Sequence, residues 1–125
     1  MLTYKNNDPY IEGTSLYDLV KVCQTPFYVY SQQKIINQVN KTKEILGNNI
    51  FYSIKSNSNQ AILKLMNSLD IGADVVSVGE LKRALEAGFD PNKIIFEGVG
   101  KSEQDLLYAT VSYTHLRAHE TRRYR

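Results

Sequence analysis

Three short runs of β-forming residues recur along the chain at a nearly constant interval. The runs occupy residues 50–54, 73–76 and 93–97. The residues just beyond them are Lys55, Ser77 and Gly98, which are 22 and 21 positions apart. Strands that alternate with helical segments of about ten residues are typical of βα units in a parallel sheet. The repeat therefore predicts an α/β fold, and its even spacing favours a βα barrel over an irregular sheet.

The helices that follow these runs carry start and stop signals. Ser77 and Glu80 have the spacing of a capping box, in which the serine accepts from the glutamate's amide and the glutamate reaches back. Gly88 is well placed to end that helix in the left-handed conformation. Ser102 and Asp105 form a weaker version of the same start before a third helix.

The amino-terminal part of the chain predicts a short helix over residues 15–23 and a strand over residues 25–31. Pro26 stands at the beginning of that strand, where a missing amide donor does least harm. A second helix follows, with apolar residues at helical spacing, and it ends at Gly47.

Charge divides the chain near Val111. Residues 1–110 carry eleven basic residues against twelve acidic ones, a net charge of −1, whereas residues 111–125 carry four arginines against Glu120, a net charge of +3. The single cysteine, Cys23, excludes an internal disulfide and fits a reducing compartment. Since the sequence shows neither a signal peptide nor an apolar run of membrane-helix length, we expect a cytoplasmic protein with no membrane partner.

Lys55 is the strongest candidate for chemistry. Strand alternation predicts that it shares a face with Phe51 and Ser53 at the end of the first run. In a βα barrel, the carboxyl ends of the strands line the mouth of the active site. A lysine among apolar neighbours loses hydration and keeps part of its amine neutral, which bond formation with an aldehyde cofactor requires. Position alone, however, favours an ordinary surface lysine at a strand end.

The segments around these runs carry four motifs in a fixed order. They are FYSIKSN at 51–57, GADVVSVGEL at 72–81, AGF at 87–89 and KIIFEGVGKS at 93–102. Together they resemble the family of pyridoxal-phosphate-dependent ornithine, arginine and diaminopimelate decarboxylases, and residues 25–30 resemble the segment that leads into that family's barrel. The similarity covers residues 13–110. The pairing of GADVVS with GVGKS is most similar to the branch that acts on diaminopimelate.

The resemblance implies a partial (β/α)8 barrel of the alanine-racemase type, with about three βα units, preceded by a strand of a separate β domain. Residues 1–31 would belong to the β domain and its entry strand, residues 32–110 to a truncated cofactor-binding barrel, and residues 111–125 to a basic tail foreign to the family. The whole protein would be a homodimer that acts on a small amino-acid substrate.

The resemblance also assigns roles to two residues. Lys55 would be catalytic and would hold pyridoxal 5′-phosphate through its amine. Asp74 would lie near the lysine and the cofactor, where an anion favours positively charged nitrogen. The alternative is that Asp74 has no role in chemistry and only caps the end of its strand or interacts with solvent there. The implied reaction is loss of carbon dioxide from meso-diaminopimelate to give L-lysine.

Three other sequence features are typical of different functions. Ile95 stands where a phosphate-binding loop ending in Gly100 needs glycine. His115 and His119 have helical spacing but lack the glutamate of zinc proteases, so no metal is expected. The arginine-rich tail could attract nucleic acid, yet residues 112–121 are similar to translated adapter sequence, and we expect no nucleic-acid partner.

Three alternatives remain within the resemblance. The chain could derive from an ornithine or arginine decarboxylase, or from a non-catalytic pyridoxal-phosphate-binding barrel protein. Because a complete barrel takes about 250 residues and eight strands, the three strands predicted here would not hold the cofactor tightly by themselves.

Overall fold

The computed structural model describes residues 2–98, 102–111 and 115–116 of the 125-residue chain. The chain divides into two compact units, residues 1–45 and 46–125. The strands are Leu2–Lys5 (β1), Asp8–Ile11 (β2), Thr14–Ser15 (β3), Phe51–Ser53 (β4), Gly72–Val75 (β5), Ile94–Phe96 (β6) and His115–Leu116 (β7). The α-helices are Leu16–Val22 (α1), Gln32–Leu46 (α2), Gln60–Ser68 (α3), Val78–Glu86 (α4) and Glu103–Val111 (α5).

The first unit begins with an antiparallel sheet in the order β1-β2-β3. Each connection has two residues with positive φ: Asn6 and Asn7 at 51° and 65°, then Glu12 and Gly13 at 50° and 82°. Two successive positive φ angles define the tight hairpin turn whose twist matches that of its strands. Sequence analysis did not predict these two hairpins.

Helix α1 starts at the position that the sequence predicts. The Ser15 hydroxyl accepts a hydrogen bond from the Asp18 amide at 3.4 Å, which satisfies one free donor of the first turn. The same hydroxyl donates to the Asp8 carboxylate at 2.8 Å. Ser15 therefore joins the helix to strand β2, and it is buried to 6% exposure.

The strand predicted over residues 25–31 is wrong. These residues have no regular structure, and Tyr28 and Tyr30 are 90% and 58% exposed. A strand needs a neighbour to take its backbone hydrogen bonds, and no described strand pairs with this segment. Ser31 instead starts α2, because its hydroxyl accepts from the Lys34 amide at 3.1 Å.

Glu12 completes the start of α2. Its carboxylate accepts hydrogen bonds from the Ser31 hydroxyl and from the Gln33 amide, the latter at 2.9 Å. Both donors favour the charged form, so they hold the pKa of Glu12 below its usual value.

The second unit contains a parallel sheet in the order β4-β5-β6-β7. Phe51 lies opposite Gly72 and Ala73 lies opposite Ile94, so both partners are 21 residues apart. The βα repeat predicted from the sequence is confirmed. Strands β4 and β6 are each two residues shorter than the predicted runs, whereas β5 has the predicted length and begins one residue earlier.

A fourth strand lies within the segment that was predicted to be a basic tail foreign to the family. Residues His115–Leu116 pair with β6 in parallel, and α5 extends to Val111. The rest of the predicted tail, residues 112–114 and 117–125, lies outside the described residues.

The parallel sheet is buried on one face and half-buried on the other. Ala73, Val75, Ile94 and Phe96 point to one side and are at most 1% exposed. Leu63 of α3 and Leu81 and Ala84 of α4 are fully buried as well. Complete burial of an aliphatic or aromatic side chain stabilises a fold by about 1.5–3 kcal/mol. The alternate residues Asp74 and Ile95 lie on the half-buried face.

The predicted caps of α4 and α5 are confirmed. At α4, the Ser77 hydroxyl accepts from the Glu80 amide at 3.2 Å, and Gly88 adopts a φ of +89° just beyond the helix. At α5, Ser102 and Asp105 exchange hydrogen bonds, from the Asp105 amide at 3.1 Å and from the Ser102 amide at 2.9 Å.

Replacing Gly72 with alanine is expected to destabilise the chain by about 1–3 kcal/mol. A Cβ atom at this position would lie 2.5 Å from the Phe51 ring and 2.8 Å from the Lys93 carbonyl oxygen. Chemical denaturation of Gly72→Ala measures this cost. Gly79→Ala is the matched control, since a Cβ there meets only the Ser77 hydroxyl at 3.7 Å, and helical alanine should add about 0.5–1 kcal/mol. Equal stability of the two variants would contradict the packing described.

The Asp105 carboxyl is expected to titrate below its ordinary value of 3.8, because the Ser102 amide and hydroxyl donate to it and lower its pKa. Its contribution to stability is therefore complete above 3.8 and is lost as the pH falls through the lower folded-state pKa. NMR titration should show this midpoint, and Ser102→Ala should raise it. A midpoint at or above the ordinary value in the unmodified chain would refute the cap.

Candidate functional site

The candidate site lies at the carboxyl end of β4. The strand ends at Ser53, one residue before the end of the predicted run, and Ile54–Ser56 form a single turn of 3-10 helix. Lys55 therefore stands on a turn and not on the strand, and it does not continue the alternation of Phe51 and Ser53. The residue is exposed, so the loss of hydration expected for it is not observed in the described part of the chain.

The turn that carries Lys55 is held from both sides. Ile54 is completely buried and fixes the turn in the core. The Ser56 hydroxyl donates to the Ser53 carbonyl oxygen at 2.6 Å, and the Tyr52 hydroxyl donates to the Asn57 carbonyl oxygen at 3.1 Å. The backbone of Lys55 thus has a defined position while its side chain extends into solvent.

The loop after this turn is tied to the next βα unit. Asn59 caps α3 through a 2.9 Å hydrogen bond from the Ala61 amide. The Arg83 guanidinium, on α4, donates to the Ser58 carbonyl oxygen at 2.9 Å. In the other direction, the side-chain amide of Gln60, on α3, donates to the Arg83 carbonyl oxygen at 3.1 Å. These contacts connect the loop after β4 and the start of α3 to helix α4 of the next βα unit.

Asp74 lies beside Ser53 in the sheet. The two residues are register partners on β4 and β5, and Ile95 follows as the partner of Asp74 on β6. The side chains of this polar row, Ser53, Asp74 and Ile95, therefore lie on the half-buried face of the sheet. The Lys55 turn follows the carboxyl end of β4, the first strand of the row. The structure places Asp74 on the strand next to β4, and its position beside the cofactor and its chemical role stay predictions.

Two polar atoms in this row lack a partner. Ser53 Oγ and Asp74 Oδ1 are buried, and within the described ranges neither makes a hydrogen bond. An unsatisfied buried polar atom costs about 1–3 kcal/mol, and such atoms are uncommon in folded proteins. Ser53 was not singled out by sequence analysis, although a serine between apolar strand residues, on the face of the predicted lysine, was an available signal.

The row below the polar pair is apolar and closely packed. The Phe51 ring lies over Gly72, since a Cβ atom on the glycine would come within 2.5 Å of that ring. The site therefore combines an aromatic surface, two unsatisfied oxygens and an amine on the following turn. This donor set fits pyridoxal phosphate, whose aromatic ring carries an aldehyde and polar substituents.

Ser77 and Glu80 serve the helix, as the sequence predicts. The Glu80 carboxylate accepts from the Val76 amide at 2.9 Å, one residue before the cap.

In the part of the chain that is described, no group of three or more metal-ligating side chains comes together. His119 and the side chain of His115 fall outside that part. No helix within it is long and apolar enough to cross a membrane.

The parallel strands with their intervening helices are typical of a segment of a βα barrel. A family model described as "Pyridoxal-dependent decarboxylase, pyridoxal binding domain" matches residues 32–119. The chain belongs to this family. The match extends nine residues past the boundary at 110 that composition suggests.

Two named relatives and one solved structure are similar to this chain. Diaminopimelate decarboxylase of Aquifex aeolicus is 38% identical over 112 residues, covering 89% of this chain and 27% of the relative. The Helicobacter pylori enzyme of the same name is 47% identical over 92 residues, covering 71% and 23%. A crystal structure of the Helicobacter pylori enzyme with L-lysine superimposes with a TM-score of 0.76 at 39% identity, covering 82% and 27%. The chain spans about a quarter of the length of these proteins.

Proposed function

We propose that this chain is the cofactor-lysine segment of a pyridoxal-phosphate-dependent amino-acid decarboxylase, and that the whole enzyme converts meso-diaminopimelate to L-lysine and carbon dioxide. The observation that carries the proposal is the position of Lys55, on a braced turn at the end of the first parallel strand, with Asp74 on the neighbouring strand. The names of the relatives favour diaminopimelate over ornithine or arginine as the substrate.

Lys55 would hold pyridoxal phosphate through a bond between Nζ and the cofactor aldehyde, and Asp74 would contact the bound group. When bound, the cofactor supplies an electron sink for the electron pair left behind as carbon dioxide departs. Lys55 Nζ must be neutral to form its bond and can then carry a proton. The carboxylate of Asp74 favours positive charge on nitrogen atoms near it.

The organisation of the whole enzyme is part of the same proposal. Residues 1–31 belong to a separate β domain and residues 32–110 to the barrel, while residues 111–125, which include β7, differ from both in composition. The antiparallel sheet at residues 2–15 supports a β domain at the start. We place the enzyme in the cytoplasm as a homodimer, on the support of the lone cysteine and the family resemblance.

Borohydride trapping tests the lysine directly. We expect the full gene product, incubated with pyridoxal phosphate and then reduced, to carry its label mainly on Lys55 when its peptides are analysed by mass spectrometry. Lys55→Arg should remove that label, while Lys64→Arg, at an exposed position on α3, should leave it. Label spread evenly over the lysines, or concentrated on another one, would reject the assignment.

The 125-residue chain alone is expected to release no carbon dioxide from meso-diaminopimelate, because most of an eight-stranded barrel is missing. The gene read beyond codon 110 should encode the remaining strands, and its full product should decarboxylate meso-diaminopimelate in preference to ornithine and arginine. Release of labelled carbon dioxide measures both. A full product that prefers ornithine or arginine would refute the substrate, and turnover by the short chain would refute the requirement for the missing strands.

A further inference from the structure

We propose that Ser53 is a cofactor-binding residue, which contributes a hydrogen bond beside Asp74 at the same site. This inference rests on the proposed function, because it assigns Ser53 to the site that Lys55 defines. The two residues face each other across β4 and β5 as register partners. Ser53 Oγ and Asp74 Oδ1 are both buried, and neither has a hydrogen-bond partner among the described residues.

The chemistry of the pair indicates what it would bind. A carboxylate oxygen only accepts hydrogen bonds, whereas a hydroxyl can donate and accept. The complementary ligand therefore presents an N–H or O–H group to Asp74 and an acceptor oxygen to Ser53. Pyridoxal phosphate joined to an amine offers a protonated nitrogen and a ring oxygen on adjacent parts of one molecule.

The surroundings fit a small aromatic ligand. The Phe51 ring covers Gly72 in the row below and supplies an apolar surface, and Ile95 is half-buried at the third position of the polar row. Ser53 and Asp74 are only half-buried as residues. Rotation about the Cα–Cβ bond between staggered conformers is thus available to bring each oxygen toward the more open face.

A purely structural serine would behave differently. If the hydroxyl stabilised the fold, it would have a partner within the protein, as the hydroxyls of Ser56 and Ser68 do. Removal of an unsatisfied buried hydroxyl relieves a cost. If Ser53 serves binding at the expense of stability, its replacement should weaken cofactor binding and leave the stability of the fold unchanged or higher.

The experiment measures both properties on the full gene product. Trapping of pyridoxal phosphate on Lys55 is followed as a function of cofactor concentration, and thermal unfolding is followed without cofactor. Ser53→Ala should raise the half-saturating concentration about threefold to tenfold and leave the melting temperature unchanged or a few degrees higher. Ser53→Cys, which keeps the shape but donates weakly, should weaken trapping in the same direction. Ser68→Ala, at an exposed hydroxyl on α3, should leave trapping unchanged.

The outcomes separate the two proposals. Normal trapping by both Ser53 variants, with label on Lys55, would overturn the role of Ser53 and leave the proposed function standing. A fall in melting temperature without a change in half-saturation would do the same, because it marks a structural serine. An unmodified full gene product that takes no label on Lys55 would overturn both.

Discussion

The parallel pairing of β4, β5 and β6 is the constraint on which the candidate site depends. A fixed interval of 21 residues between register partners aligns Phe51 with Gly72 and Ser53 with Asp74. The helices cover one face of the sheet, so Ala73, Val75 and Ile94 form a core while the polar row stays half-buried on the other side. Stability and chemistry are therefore divided between the two faces of the same short strands.

The repeat itself could be predicted because its signals are local. Strand propensity, capping residues and a glycine with positive φ each act within a few residues of chain, and Ser77, Gly88 and Ser102 all fulfil the expected roles. The strand predicted over residues 25–31 was wrong for the opposite reason, because a strand depends on residues that are distant in the sequence. Its side chains favour a strand, but a strand requires a neighbour for its backbone groups, and local sequence does not supply one.

The site was predicted in part. The position of Lys55 beyond the first strand and of Asp74 on the second followed from the motifs. The strand ending at Ser53 was not foreseen, since the buried Ile54 turns the chain into a 3-10 helix where alternation predicted one more strand pair. Ser53 was missed because its significance arises from pairing across strands and from a hydroxyl without a partner, and neither is visible in a single segment.

A crystal structure of the full gene product grown with pyridoxal phosphate tests the central claim most directly. The account predicts continuous electron density between Lys55 Nζ and the cofactor, with the side chains of Asp74 and Ser53 within hydrogen-bonding distance of the bound group. Density that joins the cofactor to a different lysine, or a cofactor bound away from the carboxyl end of β4, would contradict it.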